Sequence, residues 1–338
     1  MRKRVWIVAL ATALMLGGAA SLATQESKAP RLNPAGNGRF TFALIGDLQY
    51  GPEGEAKFPN VIADINADEN LAFVVHDGDF KNGSSLCSND VFFNRLAAFN
   101  QFEKPFIYIP GDNEWTDCHR ANNGSYDPIE RLALLRLLFF PTNQSLGKHT
   151  IELERQSDDP LYALFRENVR WVAKNVLFIG LHVVGSNNNF GRTPESTAEY
   201  TVRNAANLAW LREGFELARR NNHRAVMIII QANPNFELQP ADPNRAGFND
   251  FLTLLQAETL QYGKPVVLVH GDSHYFRIDK PMIGVQSGRR IENFTRVETF
   301  GETDNHWLHV EVAPGNPNVF IFDQRIVAAN AIRHLGGS

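Results

Sequence analysis

The sequence predicts an α/β protein in which two β-sheets pack face to face, with helices on their outer faces. Apolar, β-prone runs that end in Gly-Asp recur along the chain, and three of the aspartates fall at positions 47, 79 and 112. This interval of about 32 residues suits a strand, a crossover helix and a parallel return strand. From Asn293 onwards, alternating segments typical of antiparallel strands replace this pattern.

The first half of the chain alternates between predicted strands and helices. Short apolar runs predict strands at Phe40–Ile45, Leu71–Val75 and Phe106–Ile109. Helical periodicity predicts helices at Glu55–Asn66, Asp90–Phe102 and Ile129–Phe140. These elements form two successive βαβ units, which would place the ends of their strands side by side on one rim of a sheet.

The second half continues this alternation and then changes to hairpins. A strand pair is predicted within Val169–Val184, and a strand at Val226–Ile230 ends in Gln231. Helices are predicted at Thr201–Arg220 and Asn249–Gln261, and a strand at Val266–Val269. The tail is predicted to form antiparallel strands at Asn293–Glu298, Trp307–Val312 and Val319–Asp323.

The N-terminus has the pattern of an export signal. Three basic residues precede an apolar run, Val5–Leu16, which is too short to span a bilayer, and small residues follow up to Ala23. We therefore predict a cleaved signal peptide at residues 1–23, a flexible leader at 24–38 and one domain at 39–335. The mature protein would be periplasmic or secreted, without a stable membrane anchor.

Charge and cysteine content are consistent with an exported protein that does not bind nucleic acid as its main partner. The formal net charge is −4, and loss of the basic signal residues would make it more negative. The two cysteines, Cys87 and Cys118, each follow a Gly-Asp motif by a few residues. Loops that leave neighbouring strands on one rim can be close enough to form a disulfide, and free thiols are the alternative.

Four aspartates at the ends of predicted strands are the main candidates for a functional site. They are Asp47, Asp79, Asp112 and Asp272. A single Gly-Asp after a strand is an ordinary turn. Four of them, however, would converge on the crevice at the carboxyl ends of the strands. Because clustered carboxylates repel each other, divalent cations are the expected partners.

The order of these motifs resembles that of the calcineurin-like metallophosphoesterases over roughly residues 40–323. That family has Asp-x-His, Gly-Asp, Gly-Asn-His-Glu or Asp, a lone His and Gly-His-x-His. This chain has Asp47-Leu48-Gln49, Gly78-Asp79, Gly111-Asp112-Asn113-Glu114, Gln231 and Gly271-Asp272-Ser273-His274. The resemblance implies a four-layer αββα sandwich of two mixed β-sheets flanked by helices, and hydrolysis of phosphate esters at a dinuclear metal centre.

The resemblance also implies two sets of metal ligands that share Asp79. The first set is Asp47, Gln49, Asp79 and His274, and the second is Asp79, Asp112, Gln231 and Asp272. Three family histidines are replaced here by Gln49, Gln231 and Asp272, and the family asparagine is replaced by Asp112. Each replacement keeps an oxygen ligand, so hard cations such as Mg²⁺, Mn²⁺ or Ca²⁺ are expected rather than Zn²⁺ or iron.

Fewer residues are available for phosphate binding and proton transfer. Lys81 and Arg120 are the candidate cationic contacts to phosphate, and ordinary surface charge is the alternative for both. Asn113 stands where the family has a histidine that assists the leaving group, and an amide cannot supply that proton. We therefore consider Asn113 as a substrate contact and His119, six residues later, as a substitute acid. The alternatives are a substrate whose leaving group needs no acid, and an ordinary exposed loop histidine at position 119.

These observations predict an exported phosphoesterase that acts on a small phosphate mono- or diester through a metal-activated hydroxide. The alternative is a catalytically inactive, exported module that binds metal or ligand on the same scaffold. A third possibility is a flavodoxin-like protein whose Gly-Asp motifs are simple turns, which would have neither metal nor disulfide.

Overall fold

The structure is a computed structural model that describes residues 38–331. The predicted signal peptide and all but the last residue of the predicted leader lie outside the described residues. None of the helices in the described part of the chain is both long and apolar enough to cross a membrane.

The first sheet contains five strands in the order β12-β11-β1-β2-β3. Its strands are β1 (Phe40–Ile45), β2 (Leu71–His76), β3 (Phe106–Tyr108), β11 (Trp307–Val312) and β12 (Phe320–Arg325). β1, β2 and β3 run parallel, while β11 is antiparallel to both β1 and β12. The carboxyl ends of the three parallel strands therefore meet at one edge of the sheet.

The second sheet contains seven strands in the order β4-β5-β6-β7-β8-β10-β9. Its bounds are β4 (Glu154–Arg155), β5 (Val169–Ala173), β6 (Val176–Gly180), β7 (Ala225–Ile229), β8 (Val266–His270), β9 (Arg277–Asp279) and β10 (Phe294–Glu298). β6, β7, β8 and β10 run parallel, while β5 and β9 pair antiparallel with their neighbours. β7 and β8 are buried throughout because both faces of this sheet are covered.

The two sheets pack against each other through an aromatic core. The rings of Phe42 and Phe73 from the first sheet lie 5.6 and 5.5 Å from the ring of Phe178 in the second. Such edge-to-face pairs stabilise beyond the apolar area that they bury, by about 0.5–1.5 kcal/mol each. Separate apolar clusters fill the space on the outer face of each sheet.

Helices form the two outer layers. Gly51–Ala67, Asn89–Phe99 and Pro128–Phe139 cover the first sheet, while Pro194–Arg220 and Asn249–Tyr262 cover the second. In the helix Gly51–Ala67, Phe58, Val61, Ile62 and Ile65 are the buried face that the periodicity predicts. The predicted four-layer αββα sandwich of two mixed sheets is confirmed.

Two predicted features differ from the structure. β10 was expected to pair antiparallel, but it runs parallel to β8 and pairs antiparallel only with the short strand β9. Alternation of apolar and polar residues indicates that one side of a strand is buried, but it does not indicate the direction of the neighbouring strand. The long helix begins at Pro194 rather than Thr201, because Thr193 caps it by accepting the N–H of Ser196.

Candidate functional site

The carboxyl ends of the parallel strands of both sheets bring the four aspartates to one edge of the sandwich. Asp47, Asp79 and Asp112 follow β1, β2 and β3, and Asp272 follows β8 in the other sheet. Oδ2 of Asp47 accepts the backbone N–H of Asp272 at 2.9 Å, which joins the two sheets directly. The recurring Gly-Asp motifs therefore lie around one polar cluster.

Left-handed backbone conformations aim the side chains into this cluster. The φ angles of Asp47, Gln49, Asp79, Asp272 and His274 are 47°, 66°, 57°, 78° and 57°. Such residues cost about 1–3 kcal/mol each and are concentrated at functional sites. Five strained residues at five of the predicted ligand positions indicate that this edge is built for more than packing.

The carboxylate of Asp79 is fully engaged by hydrogen-bond donors. Its Oδ2 accepts the side-chain amides of Asn113 at 2.8 Å and Gln231 at 2.9 Å, and lies 3.2 Å from the Tyr50 hydroxyl. Its Oδ1 accepts the backbone N–H of Asn113 at 3.0 Å. Gln231 therefore directs its NH₂ group, rather than its oxygen, toward Asp79.

Asp112 and Asp272 face the same small space beside Gly185. A Cβ added to Gly185 would lie 2.7 Å from Oδ1 of Asp112 and 2.8 Å from Oδ1 of Asp272. Asp112 is only 5% exposed, and its Oδ1 has no hydrogen-bond partner among the described residues. The other oxygens are held in place, since Ser186 donates to Oδ2 of Asp112 and the N–H of Asn233 donates to Oδ2 of Asp272.

Tyr50 fills the corresponding space on the side of β1 and β2. Its hydroxyl lies 3.1 Å from Oδ1 of Asp47 and accepts the side-chain amide of Asn113 at 3.1 Å. The ring of His274 meets the Tyr50 ring edge-on at 5.1 Å, and its Nε2 lies 3.6 Å from Oδ1 of Asp47. Gln49 directly precedes Tyr50, and its Oε1 is buried without a donor among the described residues.

Burial and mutual repulsion favour protons on the central carboxyl groups. Burial raises the pKa of Asp79 well above its usual range, and the charges of Asp112 and Glu114 raise it further. The pKa of Asp112 is raised in the same way by burial and by its neighbours, and burial raises the pKa of Asp272 to about 7. A cation would relieve this repulsion by replacing the protons.

His274 supplies a positive charge to the cluster. Burial alone would lower its pKa, but the nearby carboxylates of Asp47 and Glu302 outweigh burial and raise that pKa to about 9. Its Nδ1 also lies 3.1 Å from Glu302. At neutral pH, this side chain is therefore a cation paired with Asp47.

A compact metal cage is not preformed in the described part of the chain. No group of three or more His, Cys, Asp or Glu side chains there is arranged so that it could hold an ion together. The cluster instead contains two carboxylate oxygens, from Asp112 and Asp272, that border Gly185. Amide and hydroxyl groups surround the carboxylate of Asp79. Its oxygen donors suit a hard cation.

Lys81, one of the two predicted phosphate contacts, points into the protein. Lys81 is completely buried, and its ammonium group donates to the carbonyls of Asn82 and Asn113 and to the side chain of Asn123. All three of its N–H groups are thus used inside the protein, so Lys81 supports the loop of Asn113 instead of facing a substrate. Because the prediction rested on sequence proximity to Asp79, it missed this inward direction.

Arg120 remains accessible, and His119 is held within its own turn. The Arg120 side chain is 42% exposed and forms an ion pair with Asp117 at 2.8 Å. The Ser186 hydroxyl, which donates to Asp112, also lies 3.0 Å from Asp117, and this contact connects Arg120 through two side chains to Asp112. Nδ1 of His119 lies 2.7 Å from the carbonyl oxygen of Thr116, a contact that turns this nitrogen toward the backbone.

The predicted disulfide lies beside the backbone of Asn113. Cys87 and Cys118 are bonded, their Cα atoms lie 5.7 Å apart, and both sulfurs lie 3.7 Å from the carbonyl oxygen of Asn113. The bond ties the loop after β2 to the loop after β3. The disulfide prediction is confirmed.

A left-handed turn at residues 186–189 was not foreseen from the sequence. Ser186, Asn187, Asn188 and Asn189 have φ angles of 50°, 54°, 56° and 61°. Arg203, which is buried in the helix Pro194–Arg220, holds this turn by donating to the side chain and the carbonyl of Asn188. Asparagine tolerates this conformation better than most residues, so the Asn-Asn-Asn run was the available signal.

Comparison with known proteins decides the family. The model of the calcineurin-like phosphoesterase family matches residues 40–276. The chain belongs to this family. No curated protein matches it by sequence. Members of this family are phosphoesterases and generally use a dinuclear metal centre.

Solved structures confirm the metallophosphoesterase fold. GAP50, the anchor in the inner membrane complex of Plasmodium, has a TM-score of 0.50 and 10% identity over 88% of this chain and 87% of its own. The structure of PhoD gives a TM-score of 0.50 and 12% identity, covering 83% of this chain and 65% of PhoD. Purple acid phosphatase PPD1 from seeds of yellow lupin (Lupinus luteus) gives 0.51 and 12%, covering 90% and 54%.

Proposed function

We propose that this protein is an exported, metal-dependent phosphoesterase that hydrolyses a small phosphate mono- or diester at the edge where both sheets end. The observation that supports the proposal most directly is the pair of Oδ1 atoms of Asp112 and Asp272, which both border Gly185 and lie within 2.8 Å of the position that a Cβ on this glycine would occupy. A buried carboxylate oxygen without a donor is costly unless a cation or proton meets it.

The residues around that point suit a hard divalent cation such as Mg²⁺, Mn²⁺ or Ca²⁺. Both candidate ligands are carboxylates, and both approach Gly185 so closely that any larger residue there would collide with them. Ser186 and the backbone of Asn233 fix the outer oxygens, so the inner oxygens need not reorganise to bind an ion. When bound, such a cation lowers the pKa of a water molecule and offsets the charge of the phosphate.

The chain supplies the remaining groups that a phosphate ester requires. His274 adds positive charge on one side of the cluster, and Arg120 is accessible on the other, where Asp117 orients its guanidinium group. An oriented guanidinium can hold phosphate oxygens through charge-assisted hydrogen bonds. Two cationic groups would offset part of the repulsion between a phosphate and the carboxylates.

Metal dependence tests this function. The chain is stripped with chelator, Mg²⁺, Mn²⁺, Ca²⁺ and Zn²⁺ are added back singly, and activated aryl phosphomonoesters and diesters are assayed. We expect a hard cation to restore turnover, and Asp112→Asn to lower kcat/KM by about 100-fold or more, the scale of losing one electrostatic stabiliser. Asp323→Asn, an exposed carboxylate on β12, is the matched control.

A non-hydrolytic binding module is the second candidate, and Asn113 is the observation that favours it. Asn113 directs both its backbone N–H and its side-chain amide to Asp79, so it has no proton to give to a leaving group. The fold also occurs in an anchoring protein, GAP50. Cation binding without turnover of any aryl phosphate would favour the module over the hydrolase.

Export is proposed from the sequence alone. The basic residues and short apolar run before Ala23 are the features of a cleaved signal. N-terminal sequencing of the chain recovered from the periplasm or medium should begin just after Ala23. Recovery of the chain in the cytoplasm with its N-terminus intact would contradict export.

A further inference from the structure

The hydrogen bonds around Asp79 are arranged as a closed group of neutral donors. Three side chains, Tyr50, Asn113 and Gln231, bring polar atoms to within 3.2 Å of the single oxygen Oδ2. We refer to these three residues together with Asp79 as the Asp79 node. Asp79 is 1% exposed, so these donors take the place of solvent around the carboxylate.

The orientation of Gln231 is determined by a second hydrogen bond. Its Oε1 accepts the backbone N–H of Gly185 at 2.6 Å. A rotated amide would place its oxygen against the Asp79 carboxylate and its NH₂ group against that N–H, and both contacts would be repulsive. The donor face of Gln231 is therefore fixed toward Asp79, and its oxygen is already used.

Tyr50 occupies the space between Asp47 and Asp79. Its hydroxyl lies 3.1 Å from Oδ1 of Asp47 and 3.2 Å from Oδ2 of Asp79, a position between two carboxylates that a shared cation would otherwise take. Tyr50 is 9% exposed and its ring packs against His274, so the hydroxyl cannot leave without moving a buried side chain. On this side, Oε1 of Gln49 is a buried acceptor that has no donor among residues 38–331.

We infer that the Asp79 node replaces one ion of the dinuclear centre, so that the chain binds a single cation between Asp112 and Asp272. This inference rests on the proposed cation site, but not on hydrolysis. The side of Asp112 and Asp272 presents two facing carboxylate oxygens, whereas the side of Asp47 and Asp79 is closed by a phenol and two amides. Asp79 therefore acts as a hydrogen-bond acceptor and not as a metal bridge.

The stoichiometry of Mn²⁺ binding tests the inference without any assay of activity. The chelator-treated chain is titrated with MnCl₂ by calorimetry, and the loaded chain is examined by electron paramagnetic resonance. We expect one Mn²⁺ per chain and the six-line spectrum of an isolated ion. Two Mn²⁺ per chain with a spin-coupled spectrum would overturn the inference.

Variants of the node provide a second measurement. Gln231→His removes the side-chain amide that donates to Asp79, and Tyr50→Phe removes the hydroxyl between Asp47 and Asp79. The double variant should bind a second Mn²⁺, whereas Tyr162→Phe, which lies in a short turn before β5, should stay at one. If the double variant does not fold, Tyr50→Phe alone should show weak binding of a second ion, and an unchanged stoichiometry of one would count against the node.

The outcomes separate this inference from the proposed function. One Mn²⁺ per chain without turnover supports the node and refutes the hydrolase. Two Mn²⁺ with turnover supports the hydrolase and refutes the node. Absence of Mn²⁺ binding at concentrations up to millimolar refutes both.

Discussion

Removal of the disulfide should lower the free energy of unfolding by an amount set by the length of the loop that the disulfide closes. Cys87 and Cys118 are separated by 31 residues. In the chain-entropy model, closing a loop of that length stabilises the folded state by about 3.7 kcal/mol at 25 °C. Both half-cystines are fully buried, so replacing them with alanine also removes sulfur atoms from the core.

Guanidinium unfolding of three samples separates these two effects. The oxidised chain, the same chain after reduction, and the Cys87→Ala/Cys118→Ala variant are compared by circular dichroism. The reduced chain keeps its sulfur atoms, so its loss of about 3–4 kcal/mol measures the cross-link, and any further loss in the variant measures the cavity. If reduction lowers the free energy of unfolding by less than about 1 kcal/mol, the loop-entropy reasoning is refuted.

Two further changes test buried charged groups, Glu167 and Lys81. Glu167→Gln should cost about 3–5 kcal/mol, because it leaves the guanidinium of Arg136 without its buried partner. Burial opposes ionisation of Glu167, but Arg136 and His182 together hold its pKa far below the ordinary value. The difference in free energy of unfolding between wild type and variant should therefore be complete above about pH 4.5 and shrink as the pH falls. A difference that stays constant from pH 6 to pH 3 in urea unfolding would contradict this. Lys81→Met should lower the free energy of unfolding by about 2–4 kcal/mol in the same assay, because three acceptors, including the Asn113 carbonyl, lose their donor. A loss below about 0.5 kcal/mol would show that the ammonium group is dispensable.

The sequence alone determined the layers and the edge where the polar cluster lies. Burial patterns have a period set by the local backbone, so strands such as β1 and β7 and helices such as Asn249–Tyr262 were predicted within one or two residues. The spacing of Gly-Asp motifs fixed the parallel order of β1, β2 and β3, because a crossover helix needs that length. These features depend on residues that are neighbours in the chain.

Only the tertiary structure decided which atoms meet in the site. Gln231 and Asp79 are 152 positions apart, and the role of Gln231 depends on whether its oxygen or its NH₂ group faces the carboxylate. The backbone N–H of Gly185 settles that choice, and no local pattern connects these three residues. Tyr50 and Lys81 are similar cases, because the direction of a side chain in a loop is set by partners from distant segments. The sequence thus determines where the carboxylates gather, while the packing of remote loops determines whether a carboxylate such as Asp79 is surrounded by amide donors or left open to a cation.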